Sequence, residues 1–202
     1  KVKTRTIVWV ANRETPISDA FSSKLQLVNG NLVILDESNT QIWSTNITPT
    51  PTPTTSALSV VLLDDGNLVL RYNSSSTSSS ITPIWQSFDH PTNTFLPGGK
   101  FGYNKRTNTK QIITSWKSTE DPSMGPFSLE VHQDEKQYVI KWNRSVEYWT
   151  SGSWNGRIFS AVPEMSLNYI YNFSYVDNEN ESYFTYSLYN PSIISRFVMD
   201  VS

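Results

Sequence analysis

The stretch NGNLVILDESNTQIWSTN at residues 29–46 is written a second time, in looser form, as DGNLVLRYNSSSTSSSITPIWQSF at 65–88. Each copy opens on an Asx-Gly pair, runs through Asn-Leu-Val, and closes on Ile-Trp and a polar step. A chain that repeats itself at a fixed period builds the same unit more than once, and the units must stack to bury their apolar faces. Aligning Asn31 with Asn67 gives an offset of 36 residues. Read as continuous strands, Leu27, Asn29, Asn31, Val33 and Leu35 share one face, and Val28, Leu32 and Ile34 the other. The second copy sets Leu63, Asp65, Asn67, Val69 and Arg71 against Leu68 and Leu70.

Tryptophan marks the repeat independently. Trp43 and Trp85 follow the two strands, and Trp9 stands upstream in Val8-Trp9-Val10, at spacings of 34 and 42. Three equivalent large apolar residues predict three similar sheets around a shared core. The Ser-rich stretch 73–80 accounts for the longer spacing as an exposed loop, and ITPTPTPTTS at 47–56 reads as an extended linker. Twelve residues separate Asn31 from Trp43, whereas only eight precede Trp9, so the first sheet is expected to lack its Gly-Asn-Leu strand.

Composition narrows the function. The 202 residues carry 17 % charged and 13 % aromatic side chains and a net charge of −2, which leaves no basic footprint for nucleic acid. Without cysteine there is neither a disulfide nor thiolate chemistry. No apolar run approaches the ~20 residues of a membrane-spanning helix. The start, KVKTRTIVWV, has no signal-peptide core and no initiator methionine, so the chain is expected to be part of a longer one. Five glycosylation sequons occur, at Asn46, Asn73, Asn143, Asn172 and Asn180, while Asn190 is excluded by Pro191.

The second half keeps a period of two, in Phe127/Leu129/Val131, Tyr138/Ile140/Trp142 and Tyr169/Tyr171/Phe173/Tyr175. Tyr183 to Tyr189 and Phe197 to Val201 repeat it more weakly, with turns at Gly152, Gly156 and 177–180. Residues 163–167 suggest a single helical turn. The half therefore reads as antiparallel β. His90 and His132 stand apart from any ligand set, so no metal is expected. Glu120-Asp121 and Asp134-Glu135 read as solvated charges, and no nucleophile motif or phosphate loop occurs, so no catalytic residue and no cofactor is expected.

The repeated Gly-Asn-Leu-Val strand with its following Trp resembles the bulb-type mannose-binding lectin, a three-sheeted β-prism. WQSFDHPTNTFLPGGKFG (85–102), TSWKSTEDPSMGPFSLEV (114–131) and YWTSGSWNGRIFSAVPEM (148–165) resemble, in order, the plant S-domain of S-locus glycoproteins and G-type lectin S-receptor-like serine/threonine kinases. The resemblance implies an all-β chain. An N-terminally truncated β-prism would occupy 1–106 and a second lectin-like antiparallel domain, the C-terminally truncated S-locus glycoprotein domain, 107–202. It further implies a receptor ectodomain at the plasma membrane or a secreted protein, with the transmembrane helix and the cytosolic kinase outside this segment. The implied partners are an extracellular ligand (protein, glycan or small amphiphile) and a second receptor in a homodimer, with no nucleic acid. Recognition of pollen is one family role. A secreted S-locus-type glycoprotein or a weak mannose-binding lectin without kinase is the alternative.

The family's mannose signature is Gln-x-Asp-x-Asn-x-Val-x-Tyr. The first copy keeps Asn31 and Val33, has Asn29 for the Asp, and carries Leu27 and Leu35 where Gln and Tyr belong. The second keeps Asp65, Asn67 and Val69 but has Leu63 and Arg71 at the ends. Each lost hydrogen bond removes about 0.5–1.5 kcal/mol, against about 4 kcal/mol for a whole millimolar complex. Both copies are therefore degenerate candidate sugar sites, the second the better preserved. The competing reading is that the Asx-Gly pairs survive as turns, with Asn31 and Asn67 satisfying backbone groups.

Overall fold

The computed structural model describes residues 6–48, 57–72, 83–132 and 136–201. Sixteen strands and two short 3-10 turns form five antiparallel sheets among these residues, as the all-β reading requires. The chain divides into two compact units, residues 11–87 and residues 1–10 with 88–202.

In the unit 11–87 the repeat builds two three-stranded sheets. The first joins β1 (Lys24–Val28), β2 (Asn31–Leu35) and β3 (Gln41–Ser44). The second joins β4 (Leu58–Leu62), β5 (Leu68–Tyr72) and β6 (Trp85–Gln86). The strand expected from Leu27 to Leu35 is interrupted. Asn29 and Gly30 have φ of 50° and 83°, so they make a two-residue hairpin turn, and Leu27 pairs across it with Leu32. The left-handed backbone that Asn-Gly favours outweighs the alternation read through it. In the second copy residues 63–67 form the corresponding turn: Gly66 has φ of 89°, and its N–H donates to Leu63 O. Leu32, Val33, Val69, Leu70 and Trp85 are buried, and Trp43 meets Trp85 edge-on with ring centres 5.8 Å apart. The Ser-rich stretch 73–80 and residues 49–56 of the expected linker lie outside the described residues.

The other unit holds β7 (Thr94–Phe95), β8 (Phe101–Asn104), β9 (Thr109–Lys110), β10 (Ile112–Trp116), β11 (Met124–His132), β12 (Gln137–Trp142), β13 (Val146–Thr150), β14 (Tyr171–Asp177), β15 (Glu181–Leu188) and β16 (Phe197–Val198). The orders are β10-β11-β12-β13, β14-β15-β8-β9 and β16-β7. Period-two residues of both four-stranded sheets meet in one aromatic core, where Phe101 of β8 stacks on Tyr138 of β12 at 5.0 Å. Phe95, Phe159, Phe184 and Tyr186 complete it. Gly102 lets β15 approach β8, because a Cβ there would lie 2.1 Å from Ser182 O. Residues 163–167 form the expected single turn, as a 3-10 helix. Trp9, in this unit, donates its indole N–H to His90 O at 2.8 Å.

Candidate functional site

The six residues of the degenerate mannose motif fall into equivalent places in the two sheets of the repeat. Asn31 begins β2 and grips the segment after β3. Its Oδ1 accepts from the Ile47 N–H at 2.6 Å and the Thr45 hydroxyl at 2.9 Å, and its Nδ2 donates to Ile47 O at 3.1 Å. The Thr45 hydroxyl in turn accepts from the Leu32 N–H. Asn67 repeats the arrangement before β5. Its Oδ1 accepts from the Ser87 hydroxyl at 3.2 Å, its Nδ2 donates to Gln86 Oε1 at 2.9 Å, and Ser87 Oγ accepts from the Leu68 N–H. In each copy an amide and a hydroxyl two residues past the tryptophan tie the second strand of a sheet to its third. The hydroxyl both donates and accepts, so no polar atom of the knot goes unsatisfied.

These contacts turn the Asn31 and Asn67 side chains toward the fold. Asn67 is 5 % exposed, and Val33 and Val69 are buried. Asn29 and Asp65 are exposed at the two turns, where Asp65 Oδ1 accepts from the Asn67 N–H at 2.9 Å. The structure thus brings Asp65 and Asn67 together but separates the exposed turn residues from the buried valines. The sequence reading missed Thr45 and Ser87. Their signal was available: a hydroxyl residue stands two places after Trp43 and again after Trp85.

Hollows of two kinds occur among the described residues of the unit 88–202. One, of about 250 Å³, is apolar and opens within the aromatic core, lined by Phe95, Phe101, Leu129, Trp149, Phe159 and Met165 among others. Trp149 is exposed at the rim of this hollow, whereas Trp154 packs against Phe159 and Phe184. The other, of about 400 Å³, is polar and includes Asp89, His90, Lys100, Glu181 and Tyr183. There Lys100 is bound to both carboxylate oxygens of Glu181 at 2.9 Å and sits 4.6 Å from the centre of the Tyr183 ring. Partial burial lowers the His90 pKa below its ordinary value, opposed by the charge of Asp89. Among the described residues no group of three or more His, Asp or Glu side chains converges as metal ligands would.

Of the sequons, Asn46, Asn143, Asn172 and Asn180 are exposed, and Asn73 lies outside the described residues. Asn46 and Asn143 have left-handed backbone, Asn143 in the β12–β13 turn, while Asn172 lies on β14 and Asn180 stands in the bend before β15.

Antiparallel sheets throughout, built in part by an internally knotted lectin-type repeat, define an all-β protein of the lectin-like class. Residues 6–117 match the D-mannose binding lectin family and residues 149–202 the S-locus glycoprotein domain. A G-type lectin S-receptor-like serine/threonine-protein kinase of Arabidopsis thaliana is 55 % identical over the whole of this chain and 24 % of its own length. A receptor-like serine/threonine-protein kinase of the same plant is 39 % identical over the whole chain and 23 % of its own length. An S-locus-specific glycoprotein of Brassica oleracea is 40 % identical over 98 % of the chain and 44 % of its own. The chain belongs to this S-domain family of G-type lectin receptor-like kinases and S-locus glycoproteins. It spans about a quarter of the kinase relatives it matches, and what it holds are their lectin and S-locus domains, not a kinase domain.

Proposed function

We propose that this chain is the extracellular ligand-recognition region of a receptor-like kinase at the plasma membrane, pairing with a second copy when ligand binds. The lectin and S-locus domains, divided near residues 106 and 107, carry recognition, and the kinase elsewhere in the protein carries the signal. The observation that supports this most is the tandem of the two domains, shared from end to end with a receptor kinase at 55 % identity. The degenerate mannose motif serves the fold in this reading: Asn31 and Asn67 spend their amides on the knots described above. The ligand is then sought on the loops and on the unit of residues 88–202. Pollen recognition is one role such a receptor serves, and defence or stress sensing another.

The test uses the full-length receptor in plant cells, with kinase autophosphorylation as readout, and the complete ectodomain in the ultracentrifuge. Pollen-coat extract, microbial extract and mannose oligomers are applied separately. One extract raising phosphorylation while the ectodomain's sedimenting mass doubles is expected. A monomer in every extract, with the kinase unresponsive, refutes the reading. The similarity to an S-locus-specific glycoprotein favours one alternative, a secreted recognition protein without kinase. A message encoding no kinase after the S-locus domain would decide for it.

A further inference from the structure

The tip of the β12–β13 hairpin joins two features that need each other, a glycosylation sequon and an exposed apolar row. Trp142 pairs with Phe127 on one side and with Val146 on the other, so the three side chains share one sheet face. Tyr148 meets Phe127 edge-on at 5.8 Å, on that same face. Trp142 is 46 %, Val146 53 % and Tyr148 73 % exposed. A contiguous patch of this kind on an edge strand invites association unless something covers it. Asn143 follows Trp142 directly, in Asn143-Arg144-Ser145. The turn is fixed: Asn143 and Arg144 have φ of 48° and 59°, the Asn143 N–H donates to Pro126 O at 2.8 Å, and the Ser145 N–H to Trp142 O.

We propose that an N-glycan on Asn143 seats its first N-acetylglucosamine residues on the Phe127–Trp142–Val146–Tyr148 row. The sugar's ring carries axial C–H groups and an acetyl methyl, which suit the electron-rich faces of Trp and Tyr, while its hydroxyls stay in water. Attachment moves an oligosaccharide from a lipid pyrophosphate donor to the Asn143 amide nitrogen. The new C–N bond replaces the sugar–phosphate bond, and the amide proton leaves with the lipid pyrophosphate. Neither Asn172 nor Asn180 borders an apolar row of this size, although Tyr189 lies one step from Ser187 on the Asn172 face. Asn172 pairs with Ser187 on a face that also holds Ser174, and Asn180 lies between Glu179 and Glu181. The inference rests on the extracellular reading above, because only a chain entering the secretory route meets the donor.

The test compares the complete ectodomain, secreted from plant cells, with Ser145→Ala, which abolishes the sequon without touching the left-handed Asn143. Ser174→Ala, which abolishes the Asn172 sequon, is the control. Peptide mass spectrometry reads occupancy, and thermal melting and binding of a hydrophobic dye read the patch. Expected are a glycan at Asn143, a midpoint lowered by about 2–4 °C in Ser145→Ala with a rise in dye fluorescence, and neither change in Ser174→Ala. After complete enzymatic deglycosylation, wild type and Ser145→Ala should coincide. An empty Asn143 beside occupied neighbours overturns this inference alone, as does a Ser145→Ala protein with unchanged dye binding and midpoint. Glycans at no sequon would overturn the extracellular reading with it.

Discussion

At the scale of single residues, Asn31 and Asn67 spend their side-chain amides on internal hydrogen bonds, whereas Asn29 and Asp65 are exposed. Asn67→Ala removes an acceptor for Ser87 and a donor for Gln86 in a buried place, so it should cost about 1–3 kcal/mol in a urea melt. Asn31→Ala should cost a similar amount through Thr45 and Ile47. Asp65→Ala, at the exposed turn, should cost less than either because its carboxylate holds a single N–H. In the other unit the Tyr138 hydroxyl donates to Phe101 O at 2.5 Å and accepts from the Phe184 N–H at 3.0 Å, joining β8, β12 and β15. Burial holds its pKa well above the ordinary phenol value. Tyr138→Phe keeps the ring stacked on Phe101 but strands both partners, so a loss of about 1–3 kcal/mol with unchanged far-ultraviolet dichroism is expected.

At the scale of elements, hairpins decide where strands begin and end. Gly102→Ala would drive a methyl into the β15 backbone and part β8 from it, and hydrogen exchange of the Phe101–Asn104 amides should accelerate before global unfolding. The β14–β15 turn is pinned by charge. Asp177 meets Lys105 at 2.7 Å and Lys136 at 2.8 Å, and these hydrogen bonds, first Lys105 and then Lys136, hold its carboxyl below the ordinary value of 3.8. A depressed carboxylate stabilises the fold above its unfolded-state pKa and loses that contribution as pH falls through the folded value. Stability should therefore decline below about pH 4, and Asp177→Asn should flatten that decline by about 0.2–1 kcal/mol, the range of exposed ion pairs. Melting curves against pH check it. Much of this level was legible in the sequence. The alternating apolar residues of β11, β12 and β14 named their strands, because a period of two sets them on one face of each. The repeat named its sheets but misplaced one boundary. Alternation continues numerically through Asn29-Gly30, and only the left-handed preference of that pair reveals that the chain reverses there.

At the scale of the whole molecule, residues 6–117 match the D-mannose binding lectin family while the sequence departs from the mannose signature at both ends of each copy. The mannose motif was legible as degenerate, since Leu27, Leu35, Leu63 and Arg71 stand where polar partners belong. The two hollows were not legible, because Phe95, Trp149 and Met165, or Asp89, Lys100 and Glu181, come together only through pairing of strands distant in sequence. In the function proposed above the repeat serves the fold and recognition lies elsewhere. Calorimetric titration of mannose and mannose oligomers into the complete ectodomain, wild type beside Asp65→Ala, tests it most directly. No saturable heat at millimolar sugar is expected in either protein. Saturable binding in the wild type that disappears in Asp65→Ala would contradict it and make the second copy a working sugar site.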